Sequence, residues 1–110
     1  MSLTKEGEVE AGKYQINGMY IRKQKKWDGK WRVIIFDIPE NRRIKRDLFR
    51  SKLKEMGFRQ LQKSVWVCPY PCQKEVKLLR EFFGLRKKNL MVLVVEKIEN
   101  DEGLKKYFAL

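Results

Sequence analysis

Histidine is absent from this 110-residue sequence, and cysteine occurs only twice, as Cys68 and Cys72. Without histidine, neither a Ser–His nor a Cys–His nucleophile can be assembled. A structural zinc site usually takes four ligands from Cys and His, so two thiols do not form one. Because nothing suggests an oxidising compartment, we expect both cysteines to be reduced, structural thiols in a cytoplasmic protein.

Long hydrophobic runs are also missing. The longest, residues 90–95, has the size of a strand and falls well short of the roughly 18–20 apolar residues that a membrane helix needs. The chain does not open with a charged and then apolar signal peptide. These absences predict a protein that does not insert into a membrane.

Acidic residues are scarce beside basic ones. Lys and Arg total 26, Asp and Glu total 14, and the net charge is +12. This excess predicts attraction to polyanions, nucleic acid above all and an anionic membrane surface less so. The hydrophobic fraction of 43% is ordinary for a folded protein, so the chain should form one domain with a real core.

Hydrophobic patterning and turn residues divide the chain into three parts. Residues 1–30 are typical of a basic arm or linker, residues 31–98 of a folded core, and residues 99–110 of a weakly helical tail. Within the core we predict strands at 31–38, 58–61, 65–68 and 90–98, and helices at 41–56 and 73–83. Asn41 is the predicted cap of the first helix. The β-α-β-β-α-β order predicts an α+β, ferredoxin-like fold, with a four-stranded antiparallel sheet and two helices on one face.

Asp37 is the first candidate site residue, because it ends an apolar strand and basic residues follow it closely. A cation such as Mg²⁺ accepts few carboxylates plus water, so one Asp per chain could suffice if a two-fold dimer supplied its twin. The paired acids would then activate water and neutralise a scissile phosphate. The commoner alternative is that Asp37 caps or braces the turn before the first helix.

Basic side chains recur along one side of the first predicted helix, and a second group lies in the arm. The candidate nucleic-acid-binding residues are Arg42, Arg43, Arg46, Arg50, Lys54, Lys23, Lys25 and Lys26. Arginine can fork onto phosphate oxygens, and aromatics among cations can stack on bases. The alternatives are a solvated helix face and a turn at Asp28 and Gly29 that packs Trp27 and Trp31 onto the domain. We expect the aromatics of the second helix, Phe82 and Phe83, in the core.

Several motifs in residues 27–98 resemble the central domain of PaaX-type transcriptional repressors. They are Trp27-Asp28-Gly29-Lys30-Trp31-Arg32, Phe36-Asp37-Ile38-Pro39, Gly57-Phe58 and Leu61-Gln62-Lys63-Ser64-Val65-Trp66-Val67. The same core is similar to the CRISPR-associated Cas-two family, small ferredoxin-like nucleases of spacer acquisition. In residues 1–30, Leu3-Thr4-Lys5-x-Gly7 is similar to the closing wing strand of a winged helix, which suggests a DNA-binding domain upstream.

The resemblance implies a homodimer in which Asp37 of each chain faces its twin across a metal site. It gives Arg42, Arg43 and Arg46 the role of basic residues after the strand, and places Phe58 and Ser64 near the dimer centre. The interpretation we favour is a dimerisation and nucleic-acid-binding domain of a regulator, which grips duplex DNA and needs no cofactor. The alternative is a Mg²⁺-dependent endonuclease of the Cas-two type acting on DNA or RNA. A third is a pure interaction domain.

Overall fold

The computed structural model describes residue 16 and residues 18–110. The elements are β1 (Trp31–Phe36), a 3₁₀ turn (Glu40–Arg42), α1 (Arg43–Met56), β2 (Arg59–Gln62), β3 (Val65–Cys68), α2 (Gln73–Phe83), β4 (Leu90–Val95) and α3 (Glu102–Tyr107). This is the predicted β-α-β-β-α-β order followed by a short helix in the tail. The wing-like motif at residues 3–7 lies outside the described residues.

The sheet is four-stranded and antiparallel, in the order β2-β3-β1-β4. The central place of β1 agrees with its sequence, because a strand that is apolar on both faces is normally covered on both. Its register places Ile34 beside Trp66 on one side and Val92 on the other. The α+β, ferredoxin-like prediction is therefore confirmed.

One face of the sheet carries the main core. Ile34 and Phe36 of β1 meet Phe49 and Leu53 of α1, with Val76 and Leu79 of α2 in the same cluster. Phe49 packs edge-on against both Phe36 and Phe83. Both helices end where predicted, because Gly57 and Gly84 adopt positive φ angles of 106° and 63° that glycine takes without strain.

The opposite face of the sheet is covered over only part of its length. Trp31, Val33 and Val67 are buried there, beneath Trp27 and the apolar side of the tail, Leu104 and Phe108. Toward the Asp37 end of β1 the same face carries three apolar side chains that remain exposed. This open sheet patch consists of Ile35, Met91 and Leu93.

Several details differ from the predictions. α1 begins at Arg43 because residues 40–42 form the 3₁₀ turn, and neither helical start has a side-chain cap, so the Asn41 cap is wrong. β1 and β4 are shorter than predicted and end before Asp37 and Glu96. Phe82 is not a core residue: it is 45% exposed, because the side of α2 that packs against the core is formed by Val76, Leu79 and Phe83.

Candidate nucleic-acid interface

The turn that leads into β1 is held by Asp28. Its carboxylate accepts the backbone N–H of Lys30 at 3.0 Å and binds the Arg32 guanidinium at 2.6 and 2.9 Å. Arg32, which is nearly buried, also donates to the carbonyl of Pro69 at 2.9 Å. Its charge-assisted hydrogen bond lowers the pKa of Asp28 to about 2. Arg32 was not predicted as a site residue. A spacing of four pairs side chains on a helix, whereas Asp28 and Arg32 lie in a turn and the strand that follows it, so the sequence carried no signal for this pair.

The two tryptophans beside this turn are used for packing. Trp27 and Trp31 lie with ring centroids 4.9 Å apart, and Trp27 Nε1 donates to the carbonyl of Lys30 at 2.9 Å. Trp31 is fully buried. Both rings therefore pack onto the domain, as the alternative interpretation of this turn expected. Trp31 is closed to a base, and Trp27 is half-buried.

The cations of the arm are open to solvent. Lys23, Lys25 and Lys26 are all exposed, and among the residues that the structure describes none of the three forms an ion pair. The segment that carries them is nevertheless anchored, because Ile21 donates its N–H to the carbonyl of Met56 at 2.9 Å. These lysines are therefore free to meet phosphates beside a fixed support.

The basic residues of α1 are not equivalent. Arg43 is 81% exposed and lies 4.0 Å from Asp47, whereas Arg50 is only 24% exposed. Arg50 donates Nε to the carbonyl of Lys63 at 3.0 Å and lies over the Phe36 ring, so it braces the turn between β2 and β3. Arg46 is partly buried, and its Nε is buried without a partner among the described residues.

Three of the predicted cations around α1 therefore remain accessible: Arg42, Arg43 and Lys54. Lys52 lies on the buried side of the helix, where its ammonium contacts Glu55 at 3.6 Å. The helical spacing grouped Arg50 with the accessible cations. The sequence alone could not show that its guanidinium binds the carbonyl of Lys63.

Asp37 follows β1 with its side chain exposed. Its N–H donates to the carbonyl of Asn89 at 2.7 Å, and the preceding residue, Phe36, donates to the carbonyl of Ser64 at 3.1 Å. Within the described residues its carboxylate has no ion pair and caps neither the 3₁₀ turn nor α1. Asn89, which fixes the Asp37 backbone, was missed by the sequence analysis.

Metal-binding side chains do not cluster around Asp37. No group of three or more Cys, Asp or Glu side chains in the described part of the chain is arranged to hold an ion. Within the described residues Asp37 is therefore not part of such a group, and one carboxylate does not amount to a metal site. A metal would need carboxylates from two chains.

The two predicted dimer-centre residues differ in their surroundings. Ser64 is half-buried in the turn between β2 and β3. Phe58 is 1% exposed, because its ring belongs to the main core of its own chain. The predicted place of both residues near a dimer axis stays a prediction, and the Phe58 ring is not available for direct contact with a second chain.

The cysteines are both free and buried, as expected for structural thiols. They interact with each other and lie near Arg32. A hydrogen bond from Cys68 lowers the pKa of the Cys72 thiol, while the same interaction and burial raise that of Cys68. Cys68 is the last residue of β3, and Cys72 immediately precedes α2.

The fold and the surface together define a small ferredoxin-like domain with an excess of exposed cations. No helix in the described residues is long and apolar enough to cross a membrane. Residues 24–105, well over half of the chain, match the family described as the PaaX protein central Cas2-like domain, and the chain belongs to this family. No curated protein and no solved structure matches it.

Proposed function

We propose that this chain is the dimerisation and nucleic-acid-binding domain of a PaaX-type transcriptional regulator, acting on duplex DNA in the cytoplasm. The observation that carries the proposal is the set of accessible cations on a fixed framework, in a chain of net charge +12. They are Arg42, Arg43, Lys54, Lys23, Lys25 and Lys26. Contacts of this kind grip phosphates without reading sequence, so base recognition would belong to another part of the regulator.

Dimerisation is supported by the open sheet patch. Met91 is 50% exposed, and Ile35 and Leu93 lie beside it on the same face. A second copy would remove these side chains from water through a two-fold contact of the same patch with itself. Because the patch lies at the Asp37 end of β1, that contact would also bring the two Asp37 residues toward each other.

The salt dependence of binding to blunt duplex DNA tests the electrostatic mechanism. We expect the logarithm of the association constant to fall linearly with the logarithm of salt concentration, with a slope of about −0.9 for each phosphate contacted. An affinity that barely changes from low to moderate salt contradicts the proposal. Absence of binding to duplex and single strands at low salt would instead favour the pure interaction domain.

The endonuclease is a second candidate because Asp37 presents an exposed carboxylate next to the patch, without an ion pair among the described residues. Cleavage of DNA or RNA that requires Mg²⁺ and is lost in Asp37→Asn would establish it. The substitution should leave the fold intact, because Asp37 contacts its neighbours in the described residues through its backbone. Cleavage that survives in Asp37→Asn would indicate a contaminant and leave the regulator interpretation standing.

A further inference from the structure

The described part of the arm carries an aromatic side chain that the packing leaves outside. Met19 and Ile21 pack against the main core, while Tyr20 between them is 65% exposed. Met19 and Ile21 are half-buried, whereas Tyr20 and Arg22 are exposed. Two hydrogen bonds fix this arrangement: Met19 donates to the carbonyl of Ile16 and Ile21 to that of Met56.

Tyr20 borders a groove between the arm and the start of α2. The groove has a volume of about 380 Å³ and also includes Arg22, Pro71, Lys74 and Glu75. Arg22 is exposed, as Tyr20 is, and borders the same groove. Two cations and one acid border the groove, so its net charge is positive and favours an anion.

We propose that this groove binds an unpaired nucleotide, with its base stacked on the Tyr20 ring and its phosphate held by Arg22 and Lys74. Stacking needs one exposed aromatic face and tolerates any base, and cations beside it hold the backbone. Pro71 adds a second apolar surface. Among the described residues of the arm, Trp27 is half-buried against Trp31, whereas Tyr20 is 65% exposed and offers an open ring.

This inference rests on the proposed nucleic-acid binding and adds a preference for single-stranded segments, such as the end of a duplex with an overhang. A blunt duplex keeps its bases stacked on one another, so it can use the cations of α1 and the arm but not the Tyr20 ring. The two kinds of contact are therefore separable by the choice of probe.

The test compares three probes in fluorescence anisotropy: a thymidine single strand of about 20 nucleotides, an abasic strand with the same number of phosphates, and a blunt duplex. Wild type should bind the thymidine strand about tenfold more tightly than the abasic strand, the gain expected from one stacked base. Tyr20→Ala should lose that gain, and Tyr20→Phe should keep it. Arg22→Gln should weaken binding of the thymidine and abasic strands alike.

Tyr107 provides the matched control. It is 54% exposed, and its ring already contacts the Arg59 guanidinium at 4.5 Å. Tyr107→Ala should leave the preference for the thymidine strand unchanged. Thermal unfolding of each variant checks that the fold is kept.

Two results would overturn the inference, and they differ in what else they affect. Equal binding of thymidine and abasic strands by wild type, or an undiminished preference in Tyr20→Ala, refutes stacking on Tyr20 while duplex binding stands. Failure of wild type to bind any of the three probes refutes the inference together with the proposed function.

Discussion

Among single residues, Asp28 shows how one short motif fixes the start of the core. Its carboxylate closes the turn at Gly29, where φ is 81°, and neutralises Arg32 at the beginning of the central strand. The sequence placed a turn here correctly. The ion pair could not be predicted from the sequence. It forms because Arg32 is held against the carbonyl of Pro69, which lies 37 residues further along the chain.

We expect Asp28→Asn to lower the free energy of unfolding by about 1–2 kcal/mol. The substitution leaves a nearly buried guanidinium without its counter-charge, and the exposure of the carboxylate moderates the cost. Chemical denaturation measures the difference. Asp47→Asn is the control, since its ion-pair contacts are 3.9–4.0 Å long and solvent-exposed, and it should change stability by less than about 0.5 kcal/mol.

The same pair predicts a pH dependence. The folded pKa of Asp28 lies at about 2, below its ordinary value of 3.8. A lowered folded pKa means that the stabilisation is fully present above pH 4 and is lost as the pH falls toward 2. In Asp28→Asn the decline of stability between pH 4 and pH 2 should therefore be shallower than in wild type. Identical declines would contradict this role.

Arg43 and Arg50 look alike in the sequence but should respond differently to substitution. Arg50→Gln removes a hydrogen bond to the Lys63 carbonyl and a contact with the Phe36 ring, so we expect a loss of about 1 kcal/mol in unfolding free energy. Arg43→Gln should leave stability unchanged, because its side chain is exposed. Equal stabilities for the two variants would show that Arg50 does not brace the turn.

At the scale of elements, the strands and helices could be predicted largely from the sequence. Continuous apolar runs mark β1 and β4, and Gly57 and Gly84 mark the ends of α1 and α2. The errors occur where tertiary contacts decide. β2 begins one residue later than expected, because Phe58 lies in the core. A register shift between Gln60 and Gln62 interrupts the pairing of β2 with β3.

The tail helix α3 is the element whose role depends most on the rest of the molecule. Its own sequence is only weakly helical, yet Leu104 and Phe108 cover Trp31 and Val67. We expect Phe108→Ala to destabilise the domain by about 1–2 kcal/mol, because it uncovers this cluster. Tyr107→Ala, at the last residue of α3 and more exposed, should cost less than about 1 kcal/mol. Equal losses would argue against docking through Phe108.

For the whole molecule, the candidate site could be predicted only in part. Net charge and helical spacing indicated a basic surface, but sequence alone could not separate Arg50 and Lys52, which are engaged within the chain, from the accessible cations. The alternatives for Asp37 also stayed open in the sequence. The structure shows its carboxylate exposed and without the capping bond that one alternative required.

The open sheet patch makes a prediction about mass in solution. Wild type should sediment at twice the chain mass of 13.3 kDa. Met91→Lys should shift it to the monomer, because the two-fold contact would bring two buried ammonium groups together. Ile44→Lys is a matched control, since Ile44 is an even more exposed apolar residue on the helical side. A monomeric wild type, or dissociation caused only by Ile44→Lys, would contradict dimerisation through this patch.

The most direct test of the central claim compares two doubly neutralised variants of equal net charge. Arg43→Gln with Lys54→Gln removes accessible cations of α1, and Lys97→Gln with Lys106→Gln removes two exposed cations of the C-terminal region. Duplex DNA affinity is measured across a salt series for both variants and for wild type. We expect the α1 variant to lose about two units of salt slope, at roughly 0.9 per phosphate contact, and the C-terminal variant to stay close to wild type. Equal losses in both variants would show that binding depends on net charge alone, and would contradict a defined nucleic-acid interface.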